Sequence, residues 1–201
     1  MFKIKPYNPL ILFVLLFNFI VAFGQSNVYT NSASGNDTSG DGTSALPYKT
    51  FHKAYQSVTD GGVIFVSGTF TWTDTDETGD LVTYNADSGY QLNKNITIQG
   101  SDPLTDIIQS ATASNTAGNR VFYITKDVTI NNVTIRNGKL INTTATGGGG
   151  GGIYNFGNSL HLNNCIVKDN IVGTNGSALR DTHGSAIYTL EGKLYIDNTL
   201  I

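Results

Sequence analysis

The feature that most constrains this chain is a repeat. Gly150-Gly151-Gly152-Ile153-Tyr154-Asn155, followed by Leu160-His161-Leu162-Asn163-Asn164-Cys165-Ile166-Val167, returns thirty-four positions later. The second copy reads Gly184-Ser185-Ala186-Ile187-Tyr188-Thr189, then Leu194-Tyr195-Ile196-Asp197-Asn198-Thr199-Leu200-Ile201, with no gap between the two. A short alternating run that recurs at a fixed period marks a stacked β unit, because one such unit cannot bury its apolar face alone.

The unit extends upstream in steps of thirty-two, with strand anchors at Ile64, Ile96, Val128, Leu160 and Leu194. The residues at each anchor and two places on are Ile64/Val66, Ile96/Ile98, Val128/Ile130, Leu160/Leu162 and Leu194/Ile196. Phe65, Thr97, Thr129, His161 and Tyr195 stand between them. Period-two alternation puts the aliphatic set inside and the second set outside. The position after each strand reads Gly68, Gly100, Asn132, Asn164, Asn198, the two residue types that tolerate a left-handed turn. A third column, Tyr90, Phe122, Tyr154 and Tyr188, is expected inside, since Leu92, Ile124, Phe156 and Leu190 share its parity. Three short strands per coil make an all-β parallel β-helix, expected to be right-handed as parallel crossovers overwhelmingly are.

Formal charge −3 argues against a nucleic-acid binder that works by neutralising phosphates. The single Cys165 falls in an inward strand position and reads as a buried thiol. Lys3 and Lys5, the apolar run 10–23 and Ala22-Phe23-Gly24 form the three parts of a secretory leader, which predicts a 1–24 signal peptide and a secreted or outer-cell-surface protein. Residues 25–62 are expected to hold an N-terminal strand, a turn region and a capping helix over Tyr48–Val58, where Phe51, Ala54, Tyr55 and Val58 share a face. Residues 63–201 are the coils. Ile201 aligns with Val167 in mid-repeat, so the expectation is an N-terminal fragment whose uncapped last coil self-associates.

Tyr29, Gly35-Asn36-Asp37, Gly40-Asp41-Gly42, Pro47-Tyr48-Lys49-Thr50 and Gly62-Val63-Ile64-Phe65-Val66 resemble the opening of the pectate-lyase-like right-handed parallel β-helix superfamily. The Gly-x-x-Ile-Tyr units at Gly150–Tyr154 and Gly184–Tyr188 resemble repeats of polymorphic outer-membrane proteins and related surface proteins, with Ser185 where that pattern prefers Gly. The resemblance implies the fold and an extracellular setting. It does not select one activity, since such scaffolds host lyases, hydrolases, epimerases and adhesins.

Four loops, 69–88, 101–120, 136–149 and 168–183, leave after a strand and return before the Tyr strand, so they form one rim beside an outward column Gln91, Tyr123, Asn155, Thr189. With Trp72, these are the candidate ligand-binding residues, for a polysaccharide or cell-surface glycan. Asp74, Asp76, Glu77 and Asp80 form an oxygen cluster of the kind that suits calcium, against which stands a solvated acidic loop. Asp37 and Asp41 carry the same pair of readings. The weak catalytic candidates are Arg136 and Lys168, one repeat apart, with Asp169 and Asp181 in the loop that Lys168 begins. His52 and His161 read as surface positions. The leading expectation is an adhesin-like surface protein that binds carbohydrate or a partner through stacked loops. A polysaccharide lyase is second, and a passive stalk is third.

Overall fold

The computed structural model describes residues 25–77, 89–142, 149–174 and 184–201. The leader segment, Asp80 and Asp181 lie outside them. The described chain is a parallel β-helix of about four turns. It opens with β1 (Gln25–Asn31) and one helix, α1 (Phe51–Ser57). A six-stranded sheet follows the order β1, β2 (Val58–Ser67), β5 (Ile96–Gln99), β8 (Val128–Asn131), β12 (Ser159–Asn163), β16 (Lys193–Asp197). A second sheet stacks β4 (Tyr90–Leu92), β7 (Phe122–Ile124), β11 (Ile153–Phe156) and β15 (Ile187–Leu190). The third stacks β3 (Thr69–Thr71), β6 (Ile107–Gln109), β9 (Thr134–Arg136) and β13 (Ile166–Lys168). The predicted loops 136–149 and 168–183 begin as strands themselves: β10 (Lys139–Asn142) pairs with β14 (Ile171–Thr174).

The alternation fills the interior as expected. Ile98, Ile130, Leu160 and Leu162 are fully buried, each worth about 1.5–3 kcal/mol of apolar transfer. In the six-stranded sheet one pair of anchors departs from the predicted register. Ile64 lies beside Ile98, not Ile96. The Asp60 carboxylate sets this corner by accepting the Asn95 N–H at 2.6 Å. A two-residue slip keeps every side chain on its own face, so burial does not oppose it.

The same device climbs the corner. The Asn95 Oδ1 accepts the Asp127 N–H at 3.2 Å, and Asp127 Oδ1 accepts the Ser159 N–H at 2.8 Å. At the opposite end of these strands, Gly68, Asn132, Asn164 and Asn198 have φ of 97°, 55°, 52° and 42°. Their amides form a ladder: Asn164 Nδ2 donates to Asn132 Oδ1 at 2.7 Å and Asn198 Nδ2 to Asn164 Oδ1 at 3.0 Å. Gly100 belongs to the column for a different reason than predicted. Its φ is not left-handed; a Cβ there would stand 2.3 Å from the Asn132 carbonyl oxygen.

The aromatic column is where sequence and structure part. Tyr90 pairs with Phe122 and both are buried, but Phe122 then pairs with Ile153, and Tyr123 with Tyr154. The interior above Phe122 takes the smaller Ile153. A one-residue slip turns a whole strand over, so Tyr154 and Tyr188 face outward instead of inward.

The helix seals the first coil with its own aromatic face. Phe51 packs edge-on to Tyr90 at 4.9 Å and to Phe122 at 6.1 Å between ring centroids. Its first-turn N–H groups are all claimed. Thr50 caps Lys53, and the Glu77 carboxylate accepts from Phe51 at 2.8 Å and His52 at 3.0 Å. Asp37, one reading of which was a calcium ligand, accepts the N–H groups of Lys49 and Thr50 and takes the Thr50 hydroxyl proton at 2.7 Å. His52 is buried beneath this turn, correcting the expected surface position, with its Nε2 2.8 Å from the Gln56 amide.

Candidate functional site

The outward face of the second sheet carries the best-formed site. Its first column, in register, is Gln91, Tyr123, Tyr154, Tyr188. Tyr123 and Tyr154 stack at 5.3 Å and 12°, and Tyr188 follows at 5.5 Å and 44°. Behind them Arg120 is buried, its guanidinium 5.0 Å from the Tyr154 ring while Nε and Nη2 donate to the Gly150 and Gly149 carbonyls. Burial, then the neighbouring Tyr123 and Tyr188 phenols, push the Tyr154 phenol up from its ordinary range.

The second outward column carries Phe156, 41% exposed, with the half-buried Leu190 on the next rung. Tyr154 lies 6.4 Å from it with the rings nearly parallel at 10°. The tyrosines cover one another's faces. Phe156 has the small Thr125 and Asn93 on the rungs beside it, and no ring below. A large side chain over small ones leaves a hollow: a cleft of about 520 Å³ bounded by Phe156, Gln91, Asn93, Tyr123, Thr125 and Asn158. None of these residues is a carboxylate, lysine, arginine or histidine.

Hydrogen bonding fixes what the cleft offers. The Asn93 Oδ1 takes the Tyr55 hydroxyl proton at 2.7 Å, leaving its Nδ2 as a donor. Asn158 Nδ2 donates to the Phe156 carbonyl at 2.8 Å, leaving its Oδ1 as an acceptor. The turn Phe156-Gly157-Asn158 owes its shape to Gly157, at φ 77°.

Of the sequence candidates, the structure brings Gln91 and Tyr123 to this cleft. Asn155, predicted outward, is fully buried, and its Nδ2 donates to the Asn158 carbonyl at 2.7 Å. Thr189 stacks on Asn155 in the same column and is half-buried. Both corrections follow from the slip between β7 and β11. Trp72 is half-buried and packs edge-on to Tyr90 at 5.0 Å and 78°, away from the cleft. Arg136 and Lys168 are neighbours in register, as expected, with Arg136 Nε donating to Gln109 Oε1 at 2.8 Å. They belong to the third sheet, while the cleft is on the second. Asp169 holds an exposed turn at φ 55°. His161 stacks on Tyr195 at 4.2 Å on the six-stranded sheet. Cys165 is buried, with its thiol 3.3 Å from the Ile130 carbonyl, and burial pushes it up.

The acidic loop has structural work. Glu77 is buried at the helix start, which excludes it from a solvated cluster. Burial pushes its carboxyl up to about 7 against the opposing pull of the His52 and Phe51 N–H groups. Asp76 pairs with Lys49 at 2.6 Å. Asp74 stands with Asp76 and Thr75 at a shallow surface hollow that also includes the Lys49 ammonium. Among the described residues no three His, Cys, Asp or Glu side chains converge as a metal site would require.

Sequence reasoning missed Phe156, Asn93, Thr125 and Asn158. Phe156 was visible at two places from Tyr154, but its parity was assigned inward. The chain matches no family model, no curated protein and no solved structure. No helix among the described residues is long and apolar enough to cross a membrane.

Proposed function

We propose that this chain is a secreted or surface-displayed β-helix protein, pectate-lyase-like in kind, that binds glycan through the outward face of the β4–β7–β11 sheet. The observation that carries the reading is the cleft beneath Phe156, where an aromatic face meets amide and hydroxyl groups. Its volume of about 520 Å³ suits a small-ligand site. An adhesin-like role follows from a rigid solenoid that presents this face.

A lyase reading asks for a base and a cation beside the substrate carboxylate. The paired Arg136 and Lys168 supply cations on another sheet, and the described lining of the cleft supplies no base. Binding is therefore the better account. A glycan array probed with the segment from Gln25 onward tests it, beside an unsaturated-product assay on uronate polymers with and without calcium. Glycan retention without eliminated product is expected. Eliminated product, or an array on which nothing is retained, overturns the reading.

A further inference from the structure

We infer that the cleft beneath Phe156 selects uncharged sugars: a neutral pyranoside oligosaccharide, one ring of which lies on the open Phe156 face. The inference rests on the glycan-binding reading and narrows it. Three observations carry it.

The first is charge. Phe156, Gln91, Asn93, Tyr123, Thr125 and Asn158 bound the space, with no Asp, Glu, Lys, Arg or His among them. Among the described residues no cation lines the cleft: Arg120 is buried, with Nε and Nη2 on the Gly150 and Gly149 carbonyls, and the Lys94 ammonium is held by the Tyr55 and Val58 carbonyls. A uronate or sulfated ring would lose its hydration here and find no fixed cation in return, a cost that grows as the site closes.

The second is the balance of hydrogen-bonding groups. Asn93 offers a donor, since its oxygen is held by Tyr55. Asn158 offers an acceptor, since its amide nitrogen is held by the Phe156 carbonyl. Gln91, also on the wall of the cleft, carries an amide with both a donor and an acceptor. An anion site is built from donors and a cation site from acceptors. A mixed set matches a sugar hydroxyl, which is donor and acceptor at once.

The third is the platform. Aromatic rings carry a negative face that attracts the slightly positive C–H groups of a pyranose. In the tyrosine stack such faces are turned on one another. Phe156 has Leu190 on the rung above it, and on its other side it shares the cleft with the small Thr125, so that side of the ring opens into the cleft.

The test is calorimetric titration of the segment from Gln25 onward with neutral hexose tetrasaccharides and, separately, with uronate tetrasaccharides. The expected result is binding of a neutral probe only, with an affinity that holds when salt is raised about tenfold, because no ion pair is screened. Phe156→Ala is expected to weaken it at least about tenfold, and Gln91→Ala by a smaller factor. Both residues are surface-facing, so thermal melts of the variants are expected to overlay the parent and exclude unfolding as the cause. Binding of uronates alone overturns this inference and leaves the glycan reading standing. Neutral binding that Phe156→Ala does not weaken removes the site from the cleft and overturns the inference too. Binding of neither class overturns the glycan reading itself.

Discussion

Asn164 holds a backbone that L side chains avoid, and it does so with both ends of its amide engaged, to Asn132 below and Asn198 above. Asn164→Val loses those bonds and forces a β-branched residue to φ near 52°, so the expected cost is about 2–4 kcal/mol in a denaturant melt. His161→Thr, three residues earlier and outward, loses only the stack on Tyr195 and is expected to cost about 1 kcal/mol. Equal losses would refute the ladder. Glu77 gives a second residue-scale test, through pH. Its carboxyl is raised from 4.5 to about 7 by burial, so the folded chain binds that proton more tightly than the unfolded chain. The stability so gained is complete below pH 4.5, falls as pH rises through about 7 and is level above, a span worth up to about 3 kcal/mol. Asp106 works in the other direction. Although burial opposes it, N–H groups of Gly68, Ser101 and Asp102 hold its carboxyl below the ordinary value, so its contribution is lost as pH falls through the folded value. Melting temperature is therefore expected to rise from pH 8 toward 5 and to fall in stronger acid. Glu77→Gln is expected to flatten the first slope alone, and an unchanged slope in that variant would remove Glu77 as its source.

Among the elements, strands were legible where aliphatic residues alternated with polar ones, and misleading where both faces of a strand carried apolar or aromatic residues. Ile98, Ile130 and Leu162 sit inside because the alternation around them admits no other face. Tyr154 was placed inside by aligning it with Phe122, thirty-two residues earlier, and by the apolar parity it shares with Phe156. The structure matches it to Tyr123, because Ile153 fits over Phe122 and the Asn155 amide reaches the corner carbonyl of Asn158. Packing volume and a buried amide decided a register that letter similarity could not, and the candidate site moved with it: Asn155 and Thr189 left, Phe156 entered. The slip is testable by truncation. Ile153→Ala is expected to cost about 2–5 kcal/mol and Tyr154→Ala markedly less, although tyrosine is the larger side chain. The reverse order, read from paired urea melts, would restore the original register. The helix was legible for a sturdier reason, since four apolar residues on one face have no other use in a chain of strands. Phe51→Ala, which empties the contact with Tyr90 and Phe122, is expected to cost about 3–5 kcal/mol.

At the scale of the whole stack, the first and last described coils differ, and in the segment Gln25–Ile201 taken by itself stability is expected to be graded between them. In a solenoid each coil is held only by its neighbours, so opening an inner coil breaks two interfaces and opening an outer one breaks a single interface. The outer edge of β1 is covered: its Tyr29 and Asn31 N–H groups donate to the Gly42 and Tyr48 carbonyls at 2.8 Å. In β16 the side chains that continue the inner columns, Leu194 and Ile196, are 37% and 47% exposed, while Leu160 and Leu162 one rung below are fully buried. Burial that is half made stabilises by about half as much per side chain. Leu194→Ala is therefore expected to cost less than about 1.5 kcal/mol, against about 2–5 kcal/mol for Leu162→Ala. Hydrogen exchange reads the same gradient without mutation. Amides of β5 and β8 are expected to exchange only with global unfolding, and those of β16 through local opening orders of magnitude faster. Protection of β16 equal to that of β8 would refute the gradient. The cleft draws on β4, β7 and β11, of which β4 is the first strand of its sheet and β11 is followed by β15. Local opening of β16 therefore leaves Gln91, Tyr123 and Phe156 in place. Ligand binding is expected to persist under mild denaturant that has already exposed Leu194 and Ile196, and titration at increasing urea beside exchange at the same concentrations would show whether the two events separate.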